Sequence, residues 1–341
     1  MFRTATSFAL PLLIAINFSV AEELKVGIIG LDTSHVKAFT GVMNDPKAEG
    51  DLAQMRVVAA YPGGSPDIAS SRDRIEGFTN GLRDQGVEIV DSIDALLKLV
   101  DAVMLESVDG RPHLEQAIPV FKSGKRCFID KPLAASLVDC LAIDQVARKH
   151  NAQWFSSSSL RFSPEIFRFR TGDEQIGDVR GAVAWSPCSL EKTHPDLYWY
   201  GVHGVETLFT IMGPGCTHVS RVSTAGTDEA TGVWQDGRVG TFRGIRDGKG
   251  GYGGIVFGSK RIGEAGTYAG YKPLVERIAN FFLTGDVPVE NSETIEMFAF
   301  MTAADQSKAE GGRSVAIADV MQAAKAKVDA RIAELTGTAS E

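Results

Sequence analysis

The chain is short of cysteine, of excess positive charge and of long apolar runs, and each shortage narrows the functions open to it. Its four cysteines, Cys127, Cys140, Cys188 and Cys216, show neither C-x-x-C spacing nor a metal-type pairing with histidine, so no cysteine metal site is written in the spacing. Cys127 lies in a strand pattern and Cys140 in a helix pattern, where each serves as a small buried hydrophobe; Cys188 and Cys216 are free to pair, and spacing does not decide it. The 35 basic side chains are outnumbered by 43 acidic ones, for a net charge of -8, which argues against unspecific binding to nucleic acid. The apolar stretch from Phe8 to Val20 falls well short of the roughly 20 residues that a membrane span needs. With Arg3 before it and Ser19-Val20-Ala21 ahead of Glu22-Glu23, it reads as a Sec-type signal peptide over residues 1–21. The expectation is an exported chain, periplasmic or secreted, with no membrane attachment after cleavage. There is no twin arginine, so a cofactor would be acquired outside the cytoplasm.

What remains is ample for a core: 341 residues with 44% hydrophobic side chains allow one large or two medium domains. The chain is organised around Lys25-Val26-Gly27-Ile28-Ile29-Gly30-Leu31-Asp32-Thr33-Ser34-His35. A buried strand, a glycine and then an apolar-periodic run from Val36 to Met43 describe a parallel strand turning sharply into a helix. A doubly wound fold holds a dinucleotide at such a turn, normally with G-x-G-x-x-G. Only the first glycine is present, as Gly30; Asp32 and His35 stand where the other two would be. A carboxylate facing a pyrophosphate costs roughly 4 kcal/mol at 4 Å and an effective dielectric of 20, about a thousandfold in affinity, unless Asp32 points away.

Strand patterns follow at Met55 to Ala60, Glu88 to Val90, Ala102 to Leu105, Arg126 to Ile129 and Gln153 to Ser156. Helical patterns lie between them, at about Pro66–Gln85, Ile93–Leu99, Pro112–Ser123 and Ser136–Asn151. This alternation predicts a parallel sheet with right-handed crossovers. The second strand ends in Tyr61-Pro62-Gly63-Gly64-Ser65 instead of the acid that binds ribose hydroxyls; Tyr61 offers an adenine a stacking face. After the fourth strand, Glu106-Ser107-Val108-Asp109-Gly110-Arg111-Pro112-His113 makes a polar loop on the ligand side of the sheet, with His113 opening a helix. The fifth strand runs into Asp130-Lys131-Pro132-Leu133, where a lysine can hold a carbonyl oxygen or a developing alkoxide. An ion pair between Lys131 and Asp130 that merely closes the loop is the competing account. Between Val179 and Gly258 the strands come without long helices apart from Gly201–Met212, which predicts largely antiparallel connections.

Gly124-Lys125-Arg126-Cys127-Phe128-Ile129-Asp130-Lys131-Pro132-Leu133-Ala134 resembles the G-K-x-V-x-x-E-K-P-L-A motif of the glucose-fructose oxidoreductase and inositol dehydrogenase family (Gfo/Idh/MocA). Leu160-Arg161-Phe162-Ser163-Pro164, Ile255-Val256-Phe257-Gly258-Ser259-Lys260 and Arg313-Ser314-Val315 resemble later segments of the same family, in the same order. The resemblance covers nearly the whole mature chain and identifies it as a divergent, exported member. It implies an N-terminal Rossmann-like domain over residues 22–157. It also implies a C-terminal α+β domain over 158–341, with a mostly antiparallel open sheet that often packs on a partner subunit, hence a homo-oligomer.

The resemblance further implies an oxidoreductase that uses NAD or NADP on a sugar, a cyclitol or a derivative. Trp199-Tyr200-Gly201-Val202-His203-Gly204-Val205-Glu206 matches the family's D-x-G-x-H-x-x-D. Lys131 and His203 carry over as catalytic residues and Glu206 replaces the second acid. The first acid has become Trp199, with Asp196 near enough in sequence to substitute. The cofactor set expected is Gly30, Leu31, Asp32, Thr33, Ser34, His35, Tyr61, Glu106, His113, Asp130 and Lys131; the substrate set is Arg161, Asp196, Trp199, Tyr200 and Glu206. The departures at Asp32, Tyr61 and Trp199 keep two other readings open. One is a non-redox carbohydrate lyase or hydratase, metal-assisted through Asp32, His35, His113, His203 and Glu206. The other is a sugar-binding protein on the same fold, with Trp154, Trp185, Tyr198, Trp199 and Tyr200 as aromatic faces. No metal-ligand spacing appears in the sequence.

Overall fold

The computed structural model describes residues 23–337; the signal-peptide reading of residues 1–21 lies outside the described residues. The first layer alternates strand and helix, with two helices between β2 and β3: β1 Leu24–Ile29, α1 Ser34–Met43, β2 Met55–Tyr61, α2 Ala69–Arg72, α3 Ile75–Arg83, β3 Glu88–Ile89, α4 Ile93–Leu97, β4 Ala102–Leu105, α5 His113–Lys122, β5 Arg126–Ile129, α6 Leu137–Lys149 and β6 Trp154–Ser156. These strands form one six-stranded sheet in the order β3-β2-β1-β4-β5-β6. All of its pairs are parallel. The order reverses between β1 and β4, so the turn after β1 and the loop after β4 face each other across the switch point, where such sheets bind ligands. The single helix expected over Pro66–Gln85 is two, α2 and α3, broken at Asp73–Arg74.

The second layer begins with a 3-10 turn at Ser159–Phe162 and α7 Pro164–Thr171, followed by β7 Val179–Pro187, α8 Asp196–Trp199, α9 Val202–Met212, β8 Cys216–Ser223, β9 Thr227–Trp234, β10 Val239–Ile245, β11 Gly253–Gly258 and β12 Ile262–Ala265. It ends with α10 Lys272–Thr284, α11 Asn291–Ala309, β13 Val315–Ala316, α12 Ile317–Lys325 and α13 Val328–Thr336. The seven-stranded sheet runs β12-β11-β7-β10-β9-β8-β13 and is antiparallel except where β10 lies parallel to β7. Its strands alternate buried and exposed residues, the pattern of a sheet with one face packed. Helix α9, buried along its whole length, covers the packed face. The other face carries exposed Val222, Val233, Val239 and Phe257.

Packing crosses the linear boundary at residue 157/158. Leu274, Val275, Ile278, Phe281 and Phe282 of α10 share one cluster with Val26, Ile28, Phe39, Phe128 and Phe155 of the first sheet. The C-terminal segment forms two helices, α12 and α13, broken at Ala326–Lys327. Its α13 docks on α6 through Arg331 Nε to Asp139, 2.7 Å. All four cysteines are buried and free.

Candidate active site

Gly30 ends β1 with φ +90°, and a Cβ there would lie 2.4 Å from the Ser107 backbone nitrogen. Only glycine meets both demands, since L side chains avoid positive φ. The turn brings Thr33 to the N-cap of α1, where its hydroxyl accepts from His35 N at 3.4 Å. The first turn of α1 contains no acid, so its N–H groups and partial positive charge face the cleft unopposed.

A cavity of about 350 Å³ opens beside that helix end. Thr33, Ser34, His35 and Lys131 form one wall, Trp199, Tyr200 and His203 another, and Tyr252, Tyr268 and Tyr271 a third; Ser70, Arg74, Val108, Ser159, Leu160 and Ser189 complete it. Residues far apart in sequence from both layers therefore meet in one place. The Lys131 ammonium makes no hydrogen bond or ion pair among the described residues, because Asp130 turns to His35. Asp130 Oδ2 lies 2.6 Å from His35 Nδ1, so the loop-closing Lys131–Asp130 pair is not formed. Burial pushes the Asp130 carboxyl up, but the bonded His35 and the nearby Lys131 outweigh it and hold it below its ordinary value.

His203 is 8% exposed and its Nδ1 sits 2.7 Å from Ser158 Oγ. Burial first, then the charges of Lys131 and His35, push its pKa well below that of an ordinary histidine. The ring is therefore neutral near pH 7, and in the tautomer that donates Nδ1–H to Ser158 its Nε2 is a proton acceptor. Tyr200, 5.1 Å from the His203 ring, and Tyr252, 6.1 Å from it, pack edge-on, and the Tyr252 hydroxyl donates to that of Tyr200 at 3.1 Å.

Several expected site residues lie elsewhere. Leu31 is core. Asp32 is fully buried and faces away from the cavity: Oδ2 accepts from Ser71 Oγ at 2.6 Å and Oδ1 from Val108 N at 2.8 Å. Burial raises its pKa against the pull of those two bonds. Tyr61 packs on the core cluster rather than lining the cavity. Glu106 is buried, with both oxygens lacking a partner; burial, then the charges of Asp130 and Asp32, push its carboxyl well up, so it is held neutral. His113, also fully buried, braces two loops through the Leu133 and Ser107 carbonyls, 3.1 and 2.8 Å away.

The substrate set divides in the same way. Trp199 and Tyr200 line the cavity. Glu206 does not: it accepts from Ser157 Oγ, Ser158 N and Arg161 Nε at 2.6, 2.7 and 2.7 Å. Arg161 in turn reaches Glu293 at 2.8 Å, a buried lattice that ties the 3-10 turn to α9 and α11. Asp196 pairs with Arg221 and Lys308, 2.8 and 2.6 Å away, so it does not take the place of the missing acid. The suggested metal set is dispersed among these separate partnerships, and no cluster of three or more metal-ligating side chains exists among the described residues. Of the aromatic faces considered, Trp154, Trp185 and Tyr198 are absent from the lining. The sequence reading missed Tyr252, Tyr268 and Tyr271. Their signal was tyrosine set in glycine-rich loops, Gly251-Tyr252-Gly253-Gly254 and Gly266-Thr267-Tyr268-Ala269-Gly270-Tyr271, which stays on the surface where function concentrates.

Toward a dinucleotide the two ends of the cleft differ. The nicotinamide and phosphate end fits: the α1 N-terminus, Ser34, Lys131 and Arg74 face open space, and Asp32 is turned away from it. The crevice between the ends of β1, β2 and β4, where an adenosine ordinarily lies, is crossed by the protein itself. Leu31 N donates to Pro62 O at 2.7 Å and Ser65 Oγ to Asp109 Oδ2 at 2.6 Å. Arg111 clamps Asp67 and Asp109, 2.8 and 2.7 Å away. His194 Nε2 accepts from Gly110 N at 3.1 Å, and burial lowers the pKa of that histidine to about 4.

Residues 24–158 match the family model described as oxidoreductase family, NAD-binding Rossmann fold. No curated protein sequence matches the chain. Solved structures share the fold over most of its length. Scyllo-inositol dehydrogenase from Lactobacillus casei, with bound NAD(H) and scyllo-inositol, aligns with TM-score 0.70 at 16% identity, over 87% of this chain and 100% of that one. Myo-inositol 2-dehydrogenase from Lactobacillus plantarum gives 0.70 at 16% over 86% and 99%. A probable dehydrogenase from Thermotoga maritima gives 0.70 at 19% over 87% and 100%. The strand–glycine turn, the Asp130-Lys131-Pro132 exit from β5 and the family match agree over residues 24–158, which form an NAD-binding Rossmann domain like that of the Gfo/Idh/MocA oxidoreductases.

Proposed function

We propose that the chain is an NAD(P)-dependent oxidoreductase acting on a carbinol carbon of a sugar, a cyclitol or a derivative. The observation that carries this reading is the meeting of Lys131 and His203 in one cavity at the N-terminus of α1. Thr33, Ser34, Arg74 and Lys131 would hold the phosphate and nicotinamide end of the cofactor, which when bound supplies hydride chemistry. Neutral His203 takes the proton of the substrate hydroxyl through Nε2 while Ser158 fixes the ring. Lys131 stabilises the negative charge that develops on the same oxygen, its ammonium being free of any ion pair with the described residues. The tyrosine wall orients the ring and keeps water out.

Titrating the mature protein with NAD and NADP while following tryptophan fluorescence tests the reading, together with a panel of inositols and sugars assayed for reduced cofactor. Undetectable binding of both dinucleotides at millimolar concentration would overturn it. The pattern of residues 3–21 supports export of the mature chain to the periplasm or the medium, which fractionation of expressing cells checks. The exposed valines and Phe257 on the open sheet face support a homo-oligomer, because a monomer rarely leaves a large apolar patch to water; light scattering decides it.

A further inference from the structure

Among the described residues, none that lines the cavity is a carboxylate. The wall's fully charged side chains are Lys131 and Arg74, in a chain where acids outnumber bases 43 to 35. The neighbouring acids all turn behind the wall: Asp130 onto His35, Asp32 onto Ser71 and Val108, Glu206 onto Arg161. Glu106 lies in the same buried layer. Where the catalytic motif would place an acid, Trp199 faces the cavity instead. The wall thus carries positive charge with no carboxylate to offset it, and hydroxyls that can donate to an anion as readily as accept. Arg74 and the buried, unpartnered Ser70 hydroxyl stand at the α1 end, with the cofactor's phosphates. That leaves Lys131, half withdrawn from water and in no ion pair among the described residues, for the substrate end, and a charge so placed is open to an anion.

We infer that the substrate is an anionic sugar derivative, a carboxylate-bearing ring of the hexuronate class. Its carboxylate is received by Lys131 with the Ser159 and Ser189 hydroxyls, and its C–H face lies on the tyrosine wall. The three donors of one ammonium hold the carboxylate and the reacting oxygen together. The inference rests on reading this cavity as the substrate site of an oxidoreductase.

The test is calorimetric titration of the mature protein, with and without saturating NAD, using glucuronate, glucose and myo-inositol as probes. Glucuronate is expected to bind at least tenfold more tightly than either neutral compound, with the preference shrinking as salt rises and vanishing in Lys131→Met. Adding an acid to the wall should reverse the preference. Trp199→Asp is the direct change. Tyr268→Glu is the second variant, at a residue 37% exposed, so that folding is not at stake. Equal or weaker binding of glucuronate by the unaltered protein overturns the inference, as does binding of none of the three, or a preference that the added acid leaves unmoved. Tight glucuronate binding without any NAD(P)-linked turnover would sustain the anionic pocket and remove the redox reading, so the two failures are distinguishable.

Discussion

At the Lys131 end of the cleft the polar side chains face open space, whereas at the Ser65–Asp109 end they face one another. Lys131 and Arg74 line a cavity whose wall holds no acid among the described residues. Ser65, Asp67, Asp109 and Arg111 form a closed clasp between the loops after β2 and β4, with Asp32 bonded to Ser71 and Val108 beneath it. Burial pushes the Asp109 carboxyl up, but the bonds from Arg111 and Ser65 outweigh it and bring it below its ordinary value, so the clasp holds its charge in place. The difference teaches that charges left without a partner inside the protein remain available to a ligand, whereas charges that pair internally are spent on joining the loops.

Four measurements would break or sharpen that contrast. The largest effect is expected from Lys131→Met, which keeps the stem's packing and removes the charge. Turnover should fall at least 100-fold, on the order of 3 kcal/mol of barrier, with an unchanged circular dichroism spectrum; full turnover would make the open end as idle as the clasp.

Next comes the pH dependence of kcat/KM. The neutral form of His203 is the active one and its pKa is lowered, so activity is lost as pH falls through a value below 6.5. Ser158→Ala should reduce kcat about tenfold and move the acid limb, because it frees the ring nitrogen that sets the tautomer. A Lys131 variant with residual activity should show a limb moved upward, since the lysine's charge depresses that histidine. A limb that stays fixed in both variants would detach His203 from the chemistry.

The third effect lies at the closed end. Asp32→Gly removes the ties to Ser71 and Val108, and NAD affinity should rise about tenfold, or 1.4 kcal/mol. Nicotinamide mononucleotide, which has no adenosine, should bind as before. Equal gains for both ligands would show that the clasp does not separate the two halves.

The smallest effect concerns the layer between them. Glu106 is pushed up by burial, then by Asp130 and Asp32, so its carboxyl ionises only on unfolding near neutral pH. Its contribution to stability is full below the unfolded value, 4.5, and declines as pH rises above it. Glu106→Gln should therefore raise the melting temperature at pH 7 by roughly 2–4 °C, with no gain below about pH 4.5. A lower melting temperature at pH 7 would mean that the ionised carboxylate is needed there.

What the sequence determined by itself was local and periodic. Runs of three to six residues, separated by helical spacing, placed every strand of the first sheet to within a residue or two, because burial on both faces of the central strands leaves a continuous apolar signature. The Asp130-Lys131-Pro132 exit and the His203 helix were legible for the same reason: each sits at a fixed offset from a regular element. Tertiary structure alone decided which polar groups face the cavity. Asp32, Glu106, Arg161, Asp196 and Glu206 look like site residues in one dimension, and each is turned away by a partner or a burial that sequence spacing cannot show. Ser71 lies 39 residues from Asp32, and Glu293 lies 132 from Arg161. Tyr252, Tyr268 and Tyr271 sit in aperiodic glycine-rich loops, and only the folding of α10 back onto the first sheet brings Tyr271 to within 4.8 Å of His35. Secondary structure follows from the spacing of side chains along the chain, whereas a site is a choice among polar partners, and that choice is made by burial, which penalises every charge left without one.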